Sequence, residues 1–508
     1  MCAGWLDVQV LVCKMTVDCQ ELPRHEQYLS AHRCLAHHRD ILMTESQPTP
    51  SKRRSWVPCG CLLAMFLSCV FVPFAGYMAW SFRASGQVDE QLARIRQTGL
   101  PTSFDEMDEF YRIERGAEDA TQLYMKAQEE FSGSAFEVNC RDLPIVGNSE
   151  MEIPPPGQPW AQQQAVEEFL ATYKDGIEAL HEATAMGGAA RFPLEFDQGF
   201  QMRLPHVQSL RTCSRMLSLE AHVKAHQGDA KGTTEAILAA VSIGKSLENQ
   251  PIVVSQLVRI AMNGIAVGLT DQLLPYVDFS DEDLLRLQQA FRRDDFKAGL
   301  AHSLVGERVI GSEAFKSPLA SLGPNIGMRA SRFIRGSNED LAFYLEIQSD
   351  LRDAMELEYP DALDMVETAN DKVTARIATP LGRMRYIMTG LTLPAISASA
   401  GAVARADGLN RCIDTAIAIE RYRRREGTLP ESLAELVPDF LEAVPIDPFD
   451  GKPVRYIVKK EAYLVYTCGR DRVDDGGKEV DRTDDVIRID LKSDEPKSAE
   501  TISAETIS

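Results

Sequence analysis

Five carboxylates fall within one short stretch near the C-terminus: Asp471, Asp474, Asp475, Asp484 and Asp485, with Gly476-Gly477 between them. Calcium takes about six to eight oxygens from carboxylates, carbonyls and water. The acids supply charge, and two glycines free to take unusual backbone angles let carbonyls turn inward. Arg472 and Arg482 lie in the same stretch and oppose a cation, so the plainer alternative is a solvated acidic loop. A second set with metal-binding chemistry is His206, His222 and His226. His222 and His226 are four apart, hence neighbours on one helical face, which is a workable ligand spacing. On a helical wheel they lie opposite Leu210, Leu217 and Ala221 and beside Arg211 and Arg215, with the nearest carboxylate, Asp229, beyond the Gly228 turn. Those neighbours point to solvated histidines. His181-Glu182 opens like a zinc-protease motif, but Ala185 stands where the second histidine belongs, and no nucleophile elbow, phosphate loop or dinucleotide fingerprint occurs.

The elements that must hold these residues are mostly helical by periodicity. Leu210, Cys213, Leu217 and Ala221 mark one apolar face, Gly228-Asp229 turns the chain, and Ala236–Leu247 continues as a second helix. Pro154-Pro155-Pro156-Gly157 reads as a linker, and Gln158–Met186 as a helix after it. Ser280-x-x-Asp283 has the form of a capping box before Leu284, Leu287 and Phe291. Lys316–Asn338, rich in Gly, Ser and Pro, reads as a long loop, and Met365–Ala378 and Ala402–Glu426 as helices. The last helix carries Leu409, Ile413, Ala416 and Ile417 on one face. Arg421, Arg423, Arg424 and Arg425 crowd its final turn before Gly427, as a solvated helix end would. Beyond it, Val454–Val458, Tyr463–Tyr466 and Val486–Ile489 have the composition of three strands.

The uncharged run Val57–Trp80, about 36 Å long as a helix, is enough to cross a bilayer. Trp56, Tyr77 and Trp80 suit the interfaces, and Lys52-Arg53-Arg54 places the N-terminal side in the cytoplasm. The run is longer than a typical signal-peptide core, so a retained anchor is expected. Residues 83–508 then hold 47 Lys and Arg against 69 Asp and Glu, a net of −22. Such a surface repels phosphates, so no nucleic-acid partner is expected. Seven of the eleven cysteines precede or lie within the run; Cys140, Cys213, Cys412 and Cys468 permit three pairings and specify none. Met43 opens a polar, finally basic segment of the kind that precedes an anchor, so residues 1–42 read as an upstream extension of a start at Met43.

Residues 409–490 carry a longer pattern. It comprises Gly427-Thr-Leu429-Pro430 with Leu433, then Pro445-Ile-Asp447-Pro448-Phe449-Asp450-Gly451-Lys-Pro453, Tyr456, Tyr463, Gly469-Arg-Asp471, Asp474-Asp475-Gly476-Gly477 and Asp484-Asp485-Val486. This order resembles the C-terminal module of the type II secretion major pseudopilin, protein G. The resemblance implies a long helix packed on a small sheet, with calcium in the acidic loop. Two features depart from that family: more than 300 residues separate the hydrophobic run from this segment, and the run contains no Glu. The whole chain also resembles single-anchor exported bacterial proteins with a helical middle and this ending.

The expected fold is mainly α, with a single N-terminal transmembrane helix, a helical-bundle exported domain and a small α+β pseudopilin-like module. The expected divisions are a disordered cytoplasmic tail 1–55, the anchor 56–82, the helical domain 83–395, the terminal module 396–491 and a disordered tail 492–508. The function that follows is a non-enzymatic, membrane-anchored exported protein that binds or scaffolds a protein partner of the cell envelope or secretion machinery. It would sit in the bacterial inner membrane, N-terminus inside. The alternative is a metal-dependent hydrolase using His206, His222 or His226.

Overall fold

The computed structural model describes residues 76, 79, 80, 82–149, 151–316, 338–478 and 484–491. The expected anchor Val57–Trp80, the segment 1–55, the loop Lys316–Asn338 and the tail from Lys492 fall wholly or mostly outside the described residues. The chain divides at Gly86–Gln87, and the few described residues before that point are helical. From Gln87 the described chain is mainly helical, as its periodicity predicts.

Fifteen helices occur among the described residues: α1 (82–97), α2 (Phe104–Phe110), α3 (Thr121–Glu130), α4 (Gly133–Cys140), α5 (Gln163–Thr172), α6 (Lys174–Ala185), α7 (Pro205–His226), α8 (Ala230–Lys245), α9 (Val253–Leu273), α10 (Asp281–Arg292), α11 (Phe296–Lys316), α12 (Asn338–Ala354), α13 (Asp361–Ile377), α14 (Pro380–Arg385) and α15 (Ile387–Glu426). The expected α7–α8 hairpin forms. Gly228 turns at φ 73°, and Asp229 caps α8 by accepting the Gly232 N–H at 2.8 Å. The capping box of α10 also forms: Ser280 Oγ accepts the Asp283 N–H at 3.1 Å, and Asp283 accepts the Ser280 N–H at 3.3 Å.

α15 starts fifteen residues before its expected beginning at Ala402 and is 40 residues long, about 60 Å. Pro394 and the Ser/Ala/Gly-rich run around it blur the amphipathic pattern, so the sequence hides this half. Two tertiary effects restore it. Asp340 of α12 accepts the Met388 and Thr389 N–H groups at 3.0 and 3.3 Å, satisfying donors that a helix start leaves free. Met388, Leu393, Ile396, Ala400 and Val403 are buried.

The two halves of α15 serve different cores. The C-terminal half packs with α3–α10 and the sheet; the N-terminal half packs with α11, α12, α13 and with Val88 and Ile95 of α1. The expected boundary at 395/396 therefore falls inside one continuous helix, and the described residues from Gln87 form one compact unit. A break there would sever a shared element.

Three antiparallel strands follow in the order β1 (Arg455–Val458), β2 (Ala462–Thr467), β3 (Asp485–Asp490), paired as Tyr463 with Val458 and with Ile489. The central β2 is buried along its whole length. Tyr463, on the face toward α15, donates its hydroxyl to the Ala416 carbonyl at 3.2 Å and to Glu420 at 3.0 Å. Gly408 brings helix and sheet together: a Cβ there would lie 3.3 Å from Thr467 Oγ1.

Candidate functional site

The acidic stretch is the β2–β3 connection, and the sheet determines which of its carboxylates meet. Gly476 and Gly477 have φ +76° and +66°, angles that L side chains rarely adopt. Gly477 also presses on the outer face of β2, where a Cβ would come within 3.0 Å of Leu464 and 3.3 Å of the Tyr466 ring. The turn brings Asp474 and Asp484 to neighbouring backbone donors. Asp474 Oδ1 accepts the Gly476 N–H and the Tyr466 hydroxyl, each at 3.0 Å, and Asp484 Oδ2 accepts the Gly477 N–H at 2.9 Å. The Asp475 N–H also bonds Asp484.

The remaining acids point elsewhere. Asp485 is bound by Arg405 of α15, and Asp471 accepts the Val473 N–H of its own turn at 3.1 Å. Burial raises the Asp474 carboxyl, but the Gly476 N–H, the Tyr466 hydroxyl and Arg455 outweigh it and hold the group below its ordinary value. Asp484 is raised, first by burial and then by the charges of Asp475 and Asp474. Asp484 is 5% exposed, and its Oδ1 is buried with no hydrogen-bond partner. An orphaned carboxylate oxygen beside a second acid is the chemistry that a hard cation satisfies. Among the described residues, however, Asp474, Asp475 and Asp484 do not bring three ligand oxygens within 4.8 Å of one another, and Asp471 and Asp485 are turned to other partners.

Among the described residues, one group of metal-ligating atoms converges within 4.8 Å: Asp447, Asp450 and Cys468. Arg455 already supplies the positive charge there. Its guanidinium bonds Asp447 and Asp450 and reaches Asp474 at 3.4 Å. Burial lowers the Arg455 pKa, but the two carboxylates outweigh this and raise it above the usual guanidinium value. Burial, with Asp447 and Asp450 alongside, pushes the Cys468 thiol up to about 12, which keeps it protonated and a poor ligand. Asp447 is fully buried and also accepts the Phe449 and Cys468 N–H groups at 2.8 Å. This trio is a lock that ties the Pro445–Pro453 arch to β1 and the end of β2. The motif included Asp447 and Asp450 but neither Cys468 nor Arg455, and the convergence of the two carboxylates on Arg455 had no signal in the sequence.

The three histidines do not meet. His206 and His222 are about 24 Å apart along α7. His206 stacks on Phe192 at 4.6 Å and bonds Gln250 at 3.2 Å. His222 is 6% exposed, which corrects the expectation of a solvated residue; burial, then His226, pushes its pKa down to about 4. His226 packs on Trp160 and donates to the Pro154 carbonyl at 2.9 Å. Pro154, of the expected linker, and Trp160, expected in the helix after it but placed before α5, lie over His226 on the face that the helical wheel assigns to solvent.

The arginine cluster at the end of α15 leaves Arg424 and Arg425 exposed, as a solvated end would, but its guanidiniums also find partners in the fold. Arg421 pairs with Asp281 at 2.7 Å and bonds Gln288, Arg424 bonds Asp278 and the Phe279 carbonyl, and Arg425 bonds Asp439. These contacts fasten α15 to the acidic first turn of α10. Cys140, Cys213, Cys412 and Cys468 are free and buried, as small apolar residues pack. Two described helices, α9 and α15, are long and apolar enough to cross a membrane, and about half of each apolar window is packed inside the fold. Compared with known protein families, curated proteins and solved structures, the chain matches none.

Proposed function

We propose that this chain is a membrane-anchored exported protein that binds or scaffolds a protein of the cell envelope or secretion machinery, with a pseudopilin-like module at its C-terminal end. The observation that carries the reading is the unit formed by the C-terminal half of α15 and the antiparallel sheet, closed by the Asp447–Arg455 lock and the Gly476–Gly477 turn. It supports the resemblance because several of the quoted motif residues, among them Asp447, Asp450, Tyr463, Asp474 and Gly477, hold that unit together. The N-terminal half of α15 is occupied by the second core, so this helix is not free to bundle with copies of itself as a filament subunit's would be. The module is therefore a docking head on a helical body. The anchor is Val57–Trp80, oriented by Lys52-Arg53-Arg54.

The test is topology. A reporter that is active only outside the cytoplasm, fused after Ser508, is active, and the full chain resists alkaline extraction from membranes. Activity of a cytoplasm-specific reporter at that position overturns the reading.

Calcium belongs to the same proposal. In this proposal the ion draws Asp474, Asp475 and Asp484 together, and its charge fixes the β2–β3 connection against the sheet. The melting temperature rises with calcium as the folded form is occupied. Asp484→Ala abolishes that rise, whereas Asp471→Ala leaves it. A wild-type melting temperature indifferent to millimolar calcium removes calcium from the proposal and leaves the anchor standing.

A further inference from the structure

Exposed large apolar side chains are scattered singly over most of this protein, as on any soluble surface. They gather at the corner where α14 leads into α15. Leu381 is 71% exposed and Met384 65%, three residues apart on one face of α14; Leu391, one turn into α15, is 51% exposed. Arg383 stands between the first two, also exposed, its Nε donating to the Ile377 carbonyl. The corner is held rather than loose. Thr379 caps α14 by accepting the Gly382 N–H at 3.0 Å, and a Cβ on Gly382 would lie 2.1 Å from the Arg376 carbonyl.

Charge at this corner runs against the rest of the chain. The protein carries −21 overall, yet from Lys372 to Ala406 there are five cations and no carboxylate; Lys372, Arg385 and Arg405 pair with Asp350, Glu339 and Asp485 of other elements, and Arg376 and Arg383 are exposed cations at the corner. Residues 317–337, outside the described structure, carry Arg329, Arg332 and Arg335 and no carboxylate either. They rejoin the described chain at Asn338, next to Glu339, which pairs with Arg385 and accepts the Tyr386 hydroxyl at 2.7 Å. The basic, apolar segment thus ends at the same corner. Val88, eight residues after Trp80 in sequence, packs in the same core as Tyr386, Met388 and Leu393.

We infer that the α14–α15 corner is a second membrane contact: Leu381, Met384 and Leu391 enter the headgroup region of an anionic phospholipid bilayer, and Arg383 pairs with lipid phosphate. The inference rests on the anchored reading, which delivers the chain to a bilayer shortly before α1. An apolar patch that carries Arg383, with Arg376 nearby in sequence, on an otherwise acidic body suits such a surface. The apolar side chains leave water, the cations meet phosphate, and the acidic remainder is repelled, so the domain takes one orientation. With its corner on the membrane, the domain would keep a fixed attitude rather than swing on its anchor.

The test uses the full chain in nanodiscs, with a photoreactive benzoylphenylalanine in place of Met384. Adducts are identified by mass spectrometry in phosphatidylcholine alone and with phosphatidylglycerol added. The expected product is a lipid adduct that increases with phosphatidylglycerol and falls on the order of tenfold with Arg383→Glu, at an unchanged melting temperature. Adducts to residues 317–337 or to a second copy of the chain overturn the inference, as does the absence of lipid adducts. Alkaline extraction of the same preparation reads the anchor separately. A chain that fails to integrate overturns the anchored reading, and the corner is then judged by the same label on the released chain mixed with phosphatidylglycerol vesicles.

Discussion

His222 illustrates how a single residue's role is decided by what lies over it. Its Nδ1 is buried without a hydrogen-bond partner, and its pKa is pushed down to about 4 by burial and by His226. The sign follows from linkage. Unfolded chain takes up the proton near pH ~6.5 and the folded chain only near ~4, so this contribution to stability is present above the first value and lost as pH falls toward the second. The loss amounts to at most about 3 kcal/mol. His181 titrates with the opposite sign: its bond to Glu220 at 2.9 Å raises its pKa, so its contribution is present in acid and fades as pH rises through the folded value. The informative quantity is therefore the difference between wild type and His222→Leu, which keeps much of the volume and removes the titration. Denaturant unfolding across pH ~6.5 to ~4 should show a flatter acid limb in the variant. Parallel acid limbs would mean that His222 is hydrated.

At the scale of elements, the terminal sheet is held to its helix by a small number of charged contacts in a dry setting. Arg455 is the centre of these, bonding the fully buried Asp447 together with Asp450. Arg455→Met would leave the Asp447 charge buried without its cation, at a cost of about 3–5 kcal/mol. Adding Asp447→Asn removes the stranded charge and should recover part of that loss. Recovery stays partial because one amide oxygen cannot replace two carboxylate oxygens for the Phe449 and Cys468 N–H groups. Thermal unfolding of Arg455→Met, Asp447→Asn and the double variant checks this, and a double variant whose loss is the sum of the two single losses would mean that the pair is not coupled. The α10–α15 clamp has a different character. Asp281 and Asp278 are well exposed, so the Arg421 and Arg424 pairs orient the helices and each adds only about 0–1 kcal/mol.

For the whole molecule, α15 is the spine through which the two cores communicate. Residues 396–491 produced alone would lose the α7–α10 surfaces that cover Ile413, Ala416, Ile417, Ala418 and Ile419, each fully buried in the complete chain. Residues 83–395 alone would keep only the first turns of the same helix and lose the side chains that its continuation gives the second core, among them Ile396, Ala400 and Val403. Neither fragment should show a cooperative unfolding transition, while the two joined in one chain should. A cooperative melt of isolated 396–491 would mean that the terminal module is an independent domain and that the helix is shared only in passing.

The sequence by itself determined the class of fold, the α7–α8 hairpin, the capping box at Ser280, the Gly427 end of α15 and the three strands. These rest on local rules of apolar period, cap chemistry and turn residues, which act within a few positions of the chain. It also named the arch Pro445–Pro453 and the acidic loop, because a motif keeps its order even where contacts are invisible. Only the tertiary structure decided the first half of α15, whose cap is Asp340 from another helix and whose apolar face is interrupted by Pro394. Only it decided that His222 is buried and that Pro154 and Trp160 lie over His226, since a helical wheel shows one layer and the segments packed on it are a second. Asp474 and Asp484 bond the Gly476 and Gly477 N–H groups while Asp485 turns to Arg405 for the same reason: carboxylates close in sequence are sorted by the sheet register and by a long-range cation, and neither is written in their spacing.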